Sequence, residues 1–203
     1  MNDQYYTREP QSASRPAVCA FTWRGLSLTF VTDSGVFSKG ELDAGTRLLL
    51  DALPALTGDV LDMGCGWGAI GVSLARVCPD ARVTMADVNL RALDLARENA
   101  ARNGVRCEAV ESDGFSALGG RSFDTVVTNP PIRAGKQVIY RLFAEAAEHL
   151  KPGGELWLVI RKQQGAESCI RYLEGLSLRV DKMDRSGGFW VLRAAKTEED
   201  RHV

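Results

Sequence analysis

The stretch "TNPPIRAGK", residues 128–136, sets one carboxamide, Asn129, between an apolar run and two prolines. A proline fixes its own φ and holds the residue before it in extended conformations, so Asn129 and Pro130 are stiffened together. Such a segment can aim two acceptors, the Asn129 amide oxygen and the Pro130 carbonyl, at one planar NH₂ group. The lone pair of a planar nitrogen is delocalised, which makes it a weak nucleophile. Two acceptors on its N–H bonds favour pyramidalisation and stabilise the charge that develops during in-line displacement. The chemistry implied is alkylation of a planar nitrogen, with Asn129, Pro130 and Pro131 as the catalytic segment and no histidine base. The competing reading is a plain Pro-Pro turn capped by asparagine.

A second cluster lies upstream in "VLDMGCGWGAIGVSLA", where Asp62 closes an apolar run and Gly64, Gly66 and Gly68 permit a tight turn into a helix. Glycines at such a turn let a ligand approach the backbone closely. Alone, this turn would serve a dinucleotide or simple strand–helix packing equally well. Its companions narrow the choice. Asp87 in "TMADVN" follows Asp62 by 25 residues, at the end of the next apolar run, where a carboxylate accepts from both hydroxyls of a ribose. Asp113 in "VESDGF" follows by a further 26, where an acceptor meets an adenine amine.

Positioning these groups requires a particular scaffold. "DVLDMGC", "ARVTMAD", "RCEAVES", "FDTVVTN" and "GELWLVIR" are short apolar segments separated by helical stretches, the pattern of a parallel sheet covered on both faces. The expected fold is α/β: a doubly wound, mostly parallel, seven-stranded Rossmann-like sheet. In "LRALDLARENAARNG", Leu90, Leu93, Ala96 and Ala100 share a helical face and Asn103-Gly104 ends it. Pro54 should stop an earlier helix that carries Leu48, Leu49, Leu50 and Leu53. Alternation predicts a small N-terminal β-hairpin from residues 17–23 and 26–31, and a C-terminal antiparallel hairpin around Ser186-Gly187-Gly188. The expected division is a leader and hairpin cap over 1–34, the main domain over 35–195 and a polar tail over 196–203.

The chain has 203 residues, a formal charge of −1 and 45% hydrophobic residues, which suit one globular domain without an overall basic field. The opening "MNDQYYTREP" has the wrong composition for a secretory signal, and no run is long enough for a membrane span, so a cytoplasmic protein without membrane association is expected. Five scattered cysteines and two histidines give no metal-ligand spacing; no metal is expected.

As an ordered set, the glycine-rich turn, Asp87, Asp113 and the "NPP" segment resemble the class I S-adenosylmethionine-dependent methyltransferases over about residues 35–195. The resemblance implies S-adenosylmethionine as cofactor. It places Asp62 and the Gly64/Gly66/Gly68 loop with Cys65 near the methionine part, Asp87 with Val88 and Asn89 at the ribose, Asp113 with Gly114 near adenine, and Asn129 at the reacting end. More narrowly, "TDSGVFSKGELDAGTRLLL" with "NPPIRAGK" is similar to the small methyltransferase-domain group that includes bacterial small-subunit ribosomal-RNA guanine-N2 methyltransferases and single-domain relatives. That group implies Phe37 and Ser38 over the cofactor, Asp43 at the start of the following helix, and Ile132, Arg133 and Lys136 toward the substrate. Ile132 stands where many related motifs carry an aromatic residue for stacking a flipped base. The expected activity is N-methylation of guanine in RNA of the ribosomal small subunit. Alternatives are a small heterocyclic metabolite as substrate, or a non-catalytic cofactor-binding subunit. The two-domain ribosomal enzymes carry an extra amino-terminal domain, so RNA selection here would fall to the leader or to a homodimer, or the substrate is a different one.

Overall fold

The structure is a computed structural model and describes residues 8–197. It opens with β1 (Ala17–Trp23) and β2 (Leu26–Thr32), an antiparallel pair closed by Arg24-Gly25. Both turn residues have positive φ, 47° and 78°, as the two-residue turns that follow strand twist require. Alternation turns Cys19, Trp23, Leu28 and Phe30 into the core. The free edge of β2 is not left open. Two asparagines one helical turn apart, one in α3 (Leu90–Arg102) and one at its C-cap, pair with it as a neighbouring strand would. The Asn99 amide accepts from Val31 N–H at 2.7 Å and donates to Val31 C=O at 2.8 Å, and Asn103 does the same to Thr29 at 3.1 and 2.8 Å.

The main body follows in chain order: α1 (Ala44–Ala52), β3 (Gly58–Met63), α2 (Ala69–Val77), β4 (Ala81–Asp87), α3, β5 (Glu108–Glu111), β6 (Phe123–Thr128), α4 (Lys136–His149), β7 (Leu150–Arg161), α5 (Ala166–Gly175), β8 (Leu178–Ser186) and β9 (Phe189–Lys196). The seven-stranded sheet has the order β5-β4-β3-β6-β7-β9-β8; β9 is antiparallel to both its neighbours and the other pairings are parallel. One apolar layer joins α1, α2, α3 and the N-terminal hairpin to the sheet, and a second joins α4 and α5 to its other face. After β3 the chain builds outward through β4 and β5, then returns to lay β6 on the other side of β3. At such a reversal the connections diverge and leave a crevice beyond the strand carboxyl ends.

The doubly wound sheet and both hairpins follow the sequence pattern, with small shifts at the ends. β2 includes Thr32, and β3 runs one residue past Asp62. β5 stops at Glu111, so Asp113 lies two residues beyond the strand rather than at its end. The cause is position: β5 is an edge strand of four residues, two half-buried and two exposed, where burial does not enforce a longer ladder. Lys196 belongs to β9, its ammonium donating to the carbonyls of Ala147 and Leu150; residues 198–203 of the expected tail lie outside the described residues. No helix among the described residues is long and apolar enough to cross a membrane.

Candidate active site

The crevice at the β3/β6 reversal encloses about 270 Å³. Its floor is the loop after β3, with Gly64, Cys65, Gly66 and Trp67, and its far end is Asp87, the last residue of β4, with Asn89 beyond it. Val36, Phe37 and Ser38 lie over it, Asp43 and Thr46 enter from α1, and Asn129 through Arg133 close the near side with Arg161, Gln164 and Phe189.

The Asn129 side chain is held from one end. Its Nδ2 donates to Asp43 Oδ2 at 3.0 Å and to Thr46 Oγ1 at 2.9 Å. A carboxylate can only accept, so the NH₂ must face α1 and the Oδ1 must face away from it. Asp43 does this while capping α1, its Oδ2 also accepting from Thr46 N–H at 2.9 Å. Pro131 sits at φ −74°, ψ 78°, an inverse γ-turn in which Pro130 C=O accepts from Ile132 N–H at 2.8 Å. That turn fixes the direction of the Pro130 carbonyl and leaves its second lone pair available. Two aimed acceptors at the crevice wall are the result.

Asp62 is fully buried. Its Oδ2 accepts from Gly71 N–H at 2.8 Å, while Oδ1 has no hydrogen-bond partner among the described residues. Burial, aided by the nearby Asp87 charge and opposed by the Gly71 N–H, pushes its carboxyl up to about 7. Asp87 is also raised by burial, against backbone N–H groups that favour its charged form. Its Oδ2 accepts from Gly66 at 2.8 Å and its Oδ1 from Asn89 at 2.9 Å, which locks the two loops together and leaves lone pairs for a diol. A Cβ placed on Gly64 or Gly66 would meet no protein atom within 4 Å: it would project into space that suits a ligand. Phe37 and Ser38 are tethered over this loop through Trp67 Nε1, which donates to Phe37 C=O at 2.8 Å, and Asn89 Nδ2 donates to Gly35 C=O at 2.9 Å.

Other expected residues lie elsewhere. Gly68 is the left-handed cap of α2, pressed against Val72 and Ala96, and neither Val88 nor the fully buried Asp62, which sits behind the glycine loop, lines the crevice. Asp113 and Gly114 stand outside its lining as well. The Asp113 carboxylate pairs with Arg141 at 2.6 Å, and the missing Cβ of Gly114 makes room for Glu145 and Leu142 of α4. Ile132 and Arg133 line the crevice, whereas Lys136 opens on an adjoining hollow, its ammonium 4.9 Å from the Tyr140 ring centroid. Sequence reading did not single out Thr46, Arg161, Gln164 or Phe189. The Arg161 guanidinium lies 4.2 Å over the Phe189 ring, and these residues come from segments far apart in the chain with no motif of their own. His149, the described histidine, stacks on Phe115 at the opposite edge of the sheet.

The Asp62 carboxyl carries a pH signature. Its folded value lies above that of an unfolded carboxyl, about 4, so its contribution to stability is complete below that pH and is lost as pH rises toward 7. Asp62→Asn keeps an acceptor for Gly71 and should abolish this loss. Thermal unfolding without cofactor should show the variant gaining on wild type between pH 5 and 8, by at most roughly 4 kcal/mol. Parallel curves would place the titration elsewhere.

A seven-stranded sheet of this order, with a glycine loop after the first sheet strand and a carboxylate after the second, is the architecture of a class I S-adenosylmethionine-dependent methyltransferase. The chain belongs to the methyltransferase small domain family, whose model matches residues 27–193. YbxB of Bacillus subtilis (strain 168), an uncharacterized protein, is 44% identical over 200 residues, covering 97% of this chain and 100% of the relative. Ribosomal RNA small subunit methyltransferase C of Vibrio cholerae is 39% identical over 184 residues, 87% of this chain and 52% of that protein. Among solved structures, the T. thermophilus 16S rRNA N2 methyltransferase RsmC, in complex with AdoMet and guanosine, superposes with a TM-score of 0.78 at 29% identity, over 91% of this chain and 51% of that one. The chain spans about half the length of these ribosomal relatives.

Proposed function

We propose that this protein is a cytoplasmic enzyme that transfers a methyl group from S-adenosylmethionine to the exocyclic N2 amine of a guanine in ribosomal RNA of the small subunit. The observation that carries the reading is the orientation of Asn129, whose NH₂ is pinned by Asp43 and Thr46 so that its Oδ1 is an acceptor beside the glycine loop. The names of the ribosomal relatives, and the guanosine bound in one of them, support a guanine as the NH₂ donor.

The residues present fit the cofactor. The orphaned Asp62 Oδ1 is a buried acceptor that calls for a donor or cation, and the open side of Gly64 and Gly66 admits one closely. Asp62 and the Gly64–Gly66 loop would hold the methionine part and Asp87 the ribose diol; Asp113 with Gly114 would reach adenine from outside the main lining. When bound, S-adenosylmethionine supplies a sulfonium methyl as electrophile. This chain's own contribution is alignment. Asn129 Oδ1 and Pro130 C=O accept from the two N–H bonds of the guanine amine and turn its nitrogen lone pair toward the methyl. The proton leaves after transfer, so no side-chain base is needed. Ile132, Phe37 and the Arg161–Phe189 pair form the walls that would flank the base.

Labelled cofactor should be offered to assembled small subunits, naked ribosomal RNA and a metabolite extract. Label in RNA is the expected result; label confined to small molecules would refute the RNA assignment and leave an N-methyltransferase of a heterocyclic metabolite.

A further inference from the structure

Six exposed cations follow the carboxyl edge of the sheet outward from the crevice: Arg133 and Lys136 after β6, Arg161 and Lys162 at the end of β7, and Lys182 and Arg185 on β8. Among the described residues, none of the six forms an ion pair. At the amino edge several cations are paired. There Arg82 and Lys151 converge on Asp59 and Asp124, and Arg121 pairs with Glu108. A chain of net charge −1 thus carries a run of six cations without ion pairs along one edge.

The outer part of this rim is organised around Trp190. In the ladder Trp190 stands between Ile160 of β7 and Arg185 of β8. The Lys182 ammonium lies 4.1 Å and that of Lys162 5.9 Å from its ring centroid, so one aromatic gathers two like charges. Lys162 N–H donates to Gly188 C=O at 2.9 Å, which ties the end of β7 to the turn of the β8–β9 hairpin. A register shift between Lys182 and Asp184 leaves Met183 43% exposed beside them. The acid within the strip, Asp184, accepts from the backbone N–H of Arg185 rather than from a side-chain cation. At the inner end Arg161 lines the crevice itself, so rim and crevice are continuous.

Two ammonium groups gathered on one aromatic, with two guanidiniums on the same strands and no carboxylate ion-paired to any of the four, favour an anion, and a chain of anions suits a strip better than a single one. We propose that the rim from Arg161 and Lys162 across Trp190 to Lys182 and Arg185 is the docking track for the phosphodiester backbone of a single-stranded RNA segment whose guanine enters the crevice. This rests on the reading of RNA as substrate and adds where the strand runs. Phosphate contacts of this kind set register and orientation while the crevice reads the base. The track also supplies an RNA surface from within the sheet edge, without calling on the leader or a second copy.

The test is a double variant, Lys182→Gln with Arg185→Gln, against a control, Arg76→Gln with Arg106→Gln, which removes two exposed cations from the amino edge. On RNA that wild type methylates, the track variant should raise KM about tenfold or more, with kcat at saturating RNA and cofactor affinity unchanged. Its log–log salt dependence of RNA binding should be shallower by roughly 1.4, about 0.7 for each single-strand phosphate that the variant no longer neutralises. The control should match wild type. A track variant with wild-type KM and salt slope on methylated RNA, or one no worse than the control, overturns the track and leaves the RNA reading intact. A wild type that methylates only small molecules overturns both.

Discussion

Asn129→Ala is expected to lower turnover by about a hundredfold or more while fold and cofactor affinity stay near wild type, the scale for losing one aimed transition-state acceptor. The geometry sharpens this expectation. Because Nδ2 is committed to Asp43 and Thr46, the side chain offers the crevice only its oxygen, and truncation takes that oxygen away together with the two Nδ2 bonds behind it. Asp43→Asn places an amide where a carboxylate fixed the flip, so it should lower kcat as well, by a smaller factor, with α1 still capped. Asn129→Asp retains an acceptor but sets two carboxylates about 3.0 Å apart, so it should be poorly active and less stable by itself. Combined with Asp43→Asn it regains a donor–acceptor pair, and part of the turnover should return. Single-turnover rates on the methylated RNA check all four proteins; wild-type rates in Asn129→Ala would reduce "NPP" to a turn.

The second large effect concerns Asp87. Asp87→Ala should weaken S-adenosylmethionine binding on the order of a hundredfold, as two ribose hydrogen bonds to an ionised acceptor are each worth roughly 1.5–3 kcal/mol before compensation. Part of the loss comes from the protein, since Asp87 also holds Gly66 and Asn89 in place. Calorimetry gives the dissociation constant, and thermal unfolding of the same sample shows how far the loops have loosened. An unchanged constant in a folded variant would mean that the ribose lies elsewhere.

What was legible in the sequence is what local physics determines. The N-terminal hairpin was readable because alternation and Arg24-Gly25 specify a two-residue turn, and α3 because its apolar face and Asn103-Gly104 end signal agree. Asp62 and Asp87 were readable because each ends an apolar run next to glycine or a helix cap. Asp113 was harder, since its strand is short and at the edge, and its charge is taken up by Arg141 from a helix 28 residues away. The contact between Asn129 and Asp43 spans 86 residues. Sequence showed Asp43 only as a helix cap, and nothing local indicates that its second lone-pair direction meets a carboxamide after another strand. Phe189 and Arg161 were missed for the same reason: each looks like an ordinary strand end until β7 and β9 pair. Leader residues 8–12 read as polar and unspecified, yet Arg8 C=O accepts from Leu90 N–H, and Arg91 donates to the carbonyls of Pro10 and Ser12.

On the proposed mechanism, the acceptors at Asn129 and Pro130 hold a guanine amine for methylation. Small-subunit RNA incubated with wild-type protein and labelled S-adenosylmethionine can be digested to nucleosides and the labelled product identified by mass and retention. The expected product is N2-methylguanosine, absent when Asn129→Ala replaces wild type at equal time. Label on a ring carbon, a ribose hydroxyl or any nucleoside other than guanosine would contradict it.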